Sequence, residues 1–199
     1  IGDCRFVDGQ ASGGGAIDVR ESDATIENSL FSGCHAERGG AVVAYEGTVN
    51  IDGCVFHENS ASIGGGAFWS SGLIWLNNSL TRNCSAPSAG WASVNHDAAF
   101  RATNCTFVGT GLAGSGGFWT TNDISDLALT NCIITGAGGE AVQCGLDGEG
   151  RRLLCCDVFG NAGGDFVGCI ADEYGVNGNF SSDPLFCDAA SGDFSIDAS

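Results

Sequence analysis

The chain has 199 residues, with 24 acidic residues against seven basic ones, all Arg, for a formal net charge of −17 and a sequence pI near 4.1. A field that negative repels phosphate backbones and anionic lipid, which argues against nucleic-acid and membrane-surface roles. No apolar run in the sequence is long enough to span a bilayer, so direct membrane insertion is not expected either.

A short phrase recurs along the chain: an aliphatic residue, Cys or Ser three positions later, and an apolar residue two beyond that. It runs Ile1…Cys4…Phe6, Ile26…Ser29…Phe31, Ile51…Cys54…Phe56 and Leu76…Ser79…Thr81, where the apolar end becomes Thr. It continues as Ala102…Cys105…Phe107, Leu129…Cys132…Ile134 and Leu153…Cys156…Val158. The first four copies are 25 residues apart and the later spacings are 26, 27 and 24. A fixed period of this length is the signature of a solenoid, one coil per repeat. The apolar positions alternate over short runs between turn residues, which predicts strands rather than helices. A coil of about 25 residues holds three short strands and three turns, so the expected fold is all-β.

The position before each Cys or Ser tests this reading. It holds Asp3, Asn28, Gly53, Asn78, Asn104, Asn131 and then Cys155. Asn, Asp and Gly tolerate a left-handed backbone at low cost, as a tight corner between strands requires. Asn28, Asn78, Asn104 and Asn131 are therefore the expected structural corner, with amides stacked from coil to coil. The Asn-x-Ser/Thr sequons at Asn77, Asn83, Asn104 and Asn179 are mostly by-products of this corner rather than glycan sites. A second phrase opens the other half of each coil: Gly14-Gly15-Ala16-Ile17, Gly39-Gly40-Ala41-Val42, Gly65-Gly66-Ala67-Phe68, Ala89-Gly90-Trp91-Ala92, Gly116-Gly117-Phe118-Trp119 and Gly138-Gly139-Glu140-Ala141.

Together these phrases resemble right-handed parallel β-helix proteins of the pectin-lyase-like class, and most nearly the polymorphic outer-membrane protein type. The Gly-Gly-Ala-aliphatic motif carries that resemblance, and Phe56-His-Glu-Asn59 matches its Phe-x-x-Asn motif in full. The resemblance implies a single right-handed parallel β-helix with three-stranded coils over residues 1–156. Residues 157–199 then form an irregular loop and closing coil, where Asp183-Pro-Leu-Phe186-Cys-Asp188 resembles the last coil of secreted bacterial β-helix proteins. The first residue falls within a coil, so a piece of a longer secreted protein is expected.

Of eleven cysteines, Cys4, Cys54, Cys105, Cys132 and Cys156 share one stacked position with Ser29 and Ser79. They read as small core residues with mostly free thiols. Cys144, Cys155, Cys169 and Cys187 lie in or near the irregular region, where disulfide bridges are expected. No zinc pattern is present, and His35, His57 and His96 are scattered. No cofactor is called for, calcium on the acidic surface being the one exception the composition admits.

The chain has neither the short Arg-containing motifs of a pectate lyase nor the clustered Asp with Gly-His-Gly of a polygalacturonase. Asp123 with Asp126, and His96 with Asp97, read as loop and turn residues. One further feature points to contact with a partner. If the small residue after the double glycine faces outward, Trp69, Trp91 and Phe118 form an exposed aromatic strip suited to sugar rings or a protein surface. A slip of one residue sends them into the core instead. The expected function is thus a non-catalytic extracellular or cell-surface module, serving as a stalk or in adhesion or polymer contact. The alternatives are a carbohydrate-active enzyme (polysaccharide lyase or glycoside hydrolase) of the same class, and a structural filament subunit. A polysaccharide or protein surface is the expected partner, with end-to-end or side-by-side self-association.

Overall fold

A computed structural model of the chain describes residues 1–95, 97–111, 116–121, 125–145 and 150–196. It is an all-β solenoid of about six coils, about 25 residues per coil, built on three parallel sheets. The first sheet has seven strands: Arg5–Val7, Leu30–Ser32, Val55–His57, Leu80–Arg82, Thr106–Val108, Ile133–Thr135 and Asp157–Phe159. The second has six: Ile17–Arg20, Val42–Tyr45, Phe68–Ser70, Ala92–Val94, Phe118–Thr120 and Val142–Cys144. The third also has six: Asp23–Glu27, Thr48–Asp52, Leu73–Asn77, Ala99–Thr103, Asp126–Thr130 and Arg151–Leu154. A short parallel pair, His35–Arg38 with Ser60–Gly64, lies between the first and second sheets.

Strands pair in register from coil to coil, so each sequence position becomes a column along the rod. Phe6, Phe31, Phe56, Thr81, Phe107, Ile134 and Val158 make one inward column of the first sheet. The rings of Phe6, Phe31 and Phe56 stack at 4.8 and 4.7 Å, nearly parallel. That spacing equals the hydrogen-bonding distance between neighbouring strands. Thr81 interrupts the column, buried and with its hydroxyl lacking a hydrogen-bond partner.

At the corner between the third and first sheets, Asp3, Asn28, Gly53, Asn78, Asn104, Asn131 and Cys155 all have φ between 48° and 62°. Asn131 Nδ2 donates to Asn104 Oδ1 (2.8 Å), and Asn104 Nδ2 to Asn78 Oδ1 (3.2 Å). Asn78 Nδ2 donates to Asp52 Oδ1 (2.7 Å), which serves in place of the side chain Gly53 lacks.

The Cys/Ser column one residue further on faces inward, and these side chains do more than fill space. Each side chain donates back to the carbonyl two residues earlier, as Ser79 Oγ does to Asn77 O (2.6 Å) and Cys54 Sγ to Asp52 O (3.3 Å). Three of them also accept a backbone N–H from the preceding coil: Cys4 N–H reaches Ser29 Oγ (3.1 Å), Ser29 N–H reaches Cys54 Sγ (3.4 Å) and Cys54 N–H reaches Ser79 Oγ (3.0 Å). A buried N–H without an acceptor costs about 1–3 kcal/mol, so this relay is why the position is restricted to Ser and Cys. The neighbouring Cys105 and Cys156 thiols, Cys105 first, together with burial raise the pKa of Cys132, and the same interaction lowers those of Cys105 and Cys156. Burial pushes the Cys84 thiol up to about 12. The Cys84 and Cys132 thiols therefore stay protonated at neutral pH.

Beyond Phe159 the columns give way to individual contacts. A 3-10 turn, Gly168–Glu173, packs across the last strands of the second and third sheets and buries Ile170. A disulfide joins Cys144 to Cys169, with Cα atoms 6.3 Å apart. The bridging expected across this region is therefore confined to that pair, since Cys155 and Cys187 are free and exposed. Two buried amides take up backbone N–H groups here: Asn179 Oδ1 accepts from Cys156 N–H at the end of the Cys/Ser column, and Asn161 Oδ1 accepts from Ala137 N–H as Asn59 Oδ1 does from Cys34 N–H, each at 3.0 Å. An antiparallel hairpin, Phe186–Asp188 with Asp193–Ile196, follows, and Arg82 lies 5.9 Å from the Phe194 ring centre.

Candidate functional site

The outer face of the second sheet gathers aromatic rings and guanidinium groups. Alternation along its strands turns Asp18, Val43, Trp69, Ser93, Trp119 and Gln143 into one outward column. Arg20 and Tyr45 pair in a second column beside it. Arg20 Cζ lies 5.2 Å from the Tyr45 ring centre, Tyr45 and Trp69 are 4.9 Å apart, and Arg38 Cζ is 5.7 Å from the Trp69 ring centre. Arg38 arrives from the short strand His35–Arg38, which brings it over this face. The result is a stack in the order Arg20, Tyr45, Trp69, Arg38.

A groove of about 160 Å³ lies against this stack, lined by Arg20, Arg38, Tyr45, Val43, Ser12 and Glu37 among others. Arg20 donates to both oxygens of Asp18, with its Nη2 at 2.8 Å from Oδ2. Guanidinium groups whose faces rest on rings still present N–H edges to acceptors in the groove. Trp69 keeps 8 % of its surface exposed, so the site offers donors rather than an open ring face. Nothing in the repeat grammar marks Arg20 or Arg38. The signal was available only through the column pairing of Arg20 with Tyr45.

The exposed strip expected from Trp69, Trp91 and Phe118 is not what the fold produces. Trp69 faces outward but is largely covered, whereas Trp91 is 1 % exposed and Phe118 is fully buried. The double-glycine phrases do not share one frame. Phe118 pairs with Ala92, itself in the column of Phe68, so Phe118 points inward. Trp91 occupies the small-residue position of Ala67 and lies against Gly117 of the next coil. A Cβ at Gly117 would come within 2.6 Å of the indole, so the missing side chain makes room for the ring. Trp119 is the residue that shares the outward column with Trp69.

Of the remaining candidates, His96 and Asp123 lie outside the described residues. Asp126 accepts from Arg101 Nε (3.0 Å), and Arg101 lies over Trp75 (4.9 Å), so its carboxylate is tied into an ion pair. His35 contacts Ser60 and His57 contacts Glu58, on separate strands. Among the described residues no group of three His, Cys, Asp or Glu side chains is arranged to hold a metal ion, and no helix is long and apolar enough to cross a membrane.

No curated protein matches the sequence. Among solved structures the chain is similar to a trypsin-treated variant of QnrB1, a plasmid-mediated fluoroquinolone resistance protein, at 15 % identity over 90 % of this chain and 92 % of that one, with a TM-score of 0.16. A score that low carries no argument about fold or function. The model of the right-handed beta helix region, by contrast, matches residues 1–181. With the coils, the in-register columns and the corner geometry described above, that match means the chain belongs to the right-handed β-helix family.

Proposed function

We propose that this β-helix is a non-catalytic extracellular or cell-surface module that contacts a polysaccharide or a protein through the outer face of its second sheet. The observation that carries this reading is the Arg20–Tyr45–Trp69–Arg38 stack beside the groove. It concentrates two of the seven basic residues of an acidic chain beside two aromatic rings. Aromatic and Arg side chains together are the composition that binding surfaces favour. The acidic surface and the disulfide suit an oxidising, extracellular setting. The finer assignment, to the polymorphic outer-membrane type, draws on the Gly-Gly-Ala phrases and on Asn59. That buried amide accepts Cys34 N–H (3.0 Å) and donates to Phe31 O (3.0 Å), which gives the Phe-x-x-Asn motif a physical role.

The test is incubation with a panel of uronate and neutral polysaccharides, reading binding by calorimetry and cleavage by product detection. Binding without products, weakened in Arg38→Ala, is the expected result. Robust cleavage would overturn the reading, as would binding indifferent to Arg38.

A further inference from the structure

The hairpin of Phe186–Asp188 with Asp193–Ile196 lies on the outer face of the first sheet without joining any sheet. Its strands pair only with each other, and among the described residues its hydrogen bonds close within residues 186–196. The edge-on contact of Phe186 with Phe194 (5.2 Å) makes it one unit. Side chains alone hold that unit to the coils. Phe194 lies 5.9 Å from the Arg82 guanidinium, and a Cβ at Gly192 would come within 2.6 Å of Arg82 Nη1. Ile196 lines a groove of about 350 Å³ together with Thr106 and Ile133 of the same outer face. A two-stranded hairpin is marginal by itself in water, so it depends on this surface.

Hydrogen bonds to the coils anchor the preceding link as far as Ser182: Ser181 Oγ donates to Asp165 (3.3 Å) and Ser182 N–H to Asp157 (3.0 Å). Beyond that point Leu185 takes φ 50° with 72 % of its surface exposed, and its N–H donates to Asp183 within the link (3.0 Å). Every other non-glycine residue at positive φ among the described ones is Asp, Asn, Glu or Cys. A left-handed backbone strains a bulky side chain, so the closed link is the strained part of this attachment.

We propose that two copies of this chain exchange their hairpins. The link Asp183–Leu185 extends, each hairpin leaves its own first sheet, and each settles against Arg82, Thr106 and Ile133 of the other copy. Every contact made within one chain is remade between two, and release of Leu185 from its left-handed backbone favours the open link. The exchange is reciprocal, so it closes at a dimer. This inference is independent of the contact role of the second sheet.

The experiment is size-exclusion chromatography with light scattering of the 199-residue chain across a concentration series, at physiological salt so that the net charge of each copy is screened. Circular dichroism is recorded alongside. A dimer fraction that rises with concentration, with an unchanged β spectrum, is expected. Two variants of one residue then separate exchange from other modes of association. Leu185→Gly takes the closed link without strain and is expected to weaken dimerisation by about tenfold or more, since each dimer opens two links. Leu185→Pro cannot adopt a positive φ and is expected to strengthen it by about tenfold or more. A side-by-side contact through the exposed Leu185 would weaken in both variants, and a contact elsewhere would change in neither. Either result would overturn the proposal, as would a chain that stays monomeric throughout or one whose oligomers grow past the dimer.

Discussion

Residues 1–156 and residues 157–196 solve the same problem in different ways. In the coils one residue type does one job repeatedly: Asn turns the corner, Ser or Cys relays an N–H, Phe or Ile fills the core. In the closing segment each contact occurs once, as a disulfide, a buried turn, two amides and a carboxylate. Cooperation between neighbours supports the first region, and individual links support the second. A change in a column should therefore be felt as packing loss in adjacent coils, and a change in the closing segment as the loss of a specific tie.

The largest effect tests the columns. Trp91 packs against Phe107 (5.6 Å) and Phe118 (5.3 Å), and Trp91→Ala should cost about 3–5 kcal/mol in chemical denaturation. A loss below about 1 kcal/mol would mean the indole is not part of the core. Next comes the corner: Asn104→Val should cost about 1–3 kcal/mol, since a β-branched residue resists the left-handed backbone and two amide hydrogen bonds vanish. An unchanged midpoint would break the account of the corner. A smaller change of opposite sign is expected at Thr81. Thr81→Val keeps the shape and removes an unpartnered buried hydroxyl, so it should stabilise by about 1 kcal/mol.

The smallest effect concerns the closing segment and depends on pH. Asp157 accepts Ser182 N–H at 3.0 Å, yet its pKa is raised, by burial first and then by the nearby Asp165 and Asp183 against the lowering effect of that bond. A carboxyl with a raised folded pKa binds its proton more tightly in the native state. Its contribution to stability therefore falls as pH rises from the unfolded value, about 3.9, through the folded value. Asp157→Asn keeps an acceptor for Ser182 and removes the buried charge. It should stabilise the chain at neutral pH and converge with the native protein in acid, as read from denaturation midpoints across pH. A gain that persists undiminished in acid would sink this account.

The same contrast explains what the sequence discloses. Left-handed corners are legible because few residues other than Asn, Asp and Gly occupy them cheaply, and the period exposes the column. Cys155 is the exception, a Cys at φ 53° where regularity ends. The aromatic face misled at Phe118 because the double-glycine phrase shifts frame at Gly116, and a one-residue shift exchanges inside for outside, and at Trp91 because the position it shares with Ala67 is itself buried. The hydrogen-bonding role of the Cys/Ser column was hidden for another reason. Both residues also serve as small fillers, and only the position of the neighbouring N–H distinguishes the two uses. The Arg20–Arg38 groove combines residues from different coils and from an extra strand between sheets, which no single repeat unit contains.

The relay between coils has a consequence for how such a chain can change length. Ser29, Cys54 and Ser79 each serve an N–H of the coil before, so the rod there behaves like a screw thread whose pitch is one repeat. Removing or adding a whole pitch leaves every partner in phase, and the thread closes again. Removing a few residues within a pitch leaves a run of buried N–H groups facing the wrong neighbours. Growth and shortening of this protein should therefore proceed in steps of one coil, with small insertions confined to the turns that stand outside the thread.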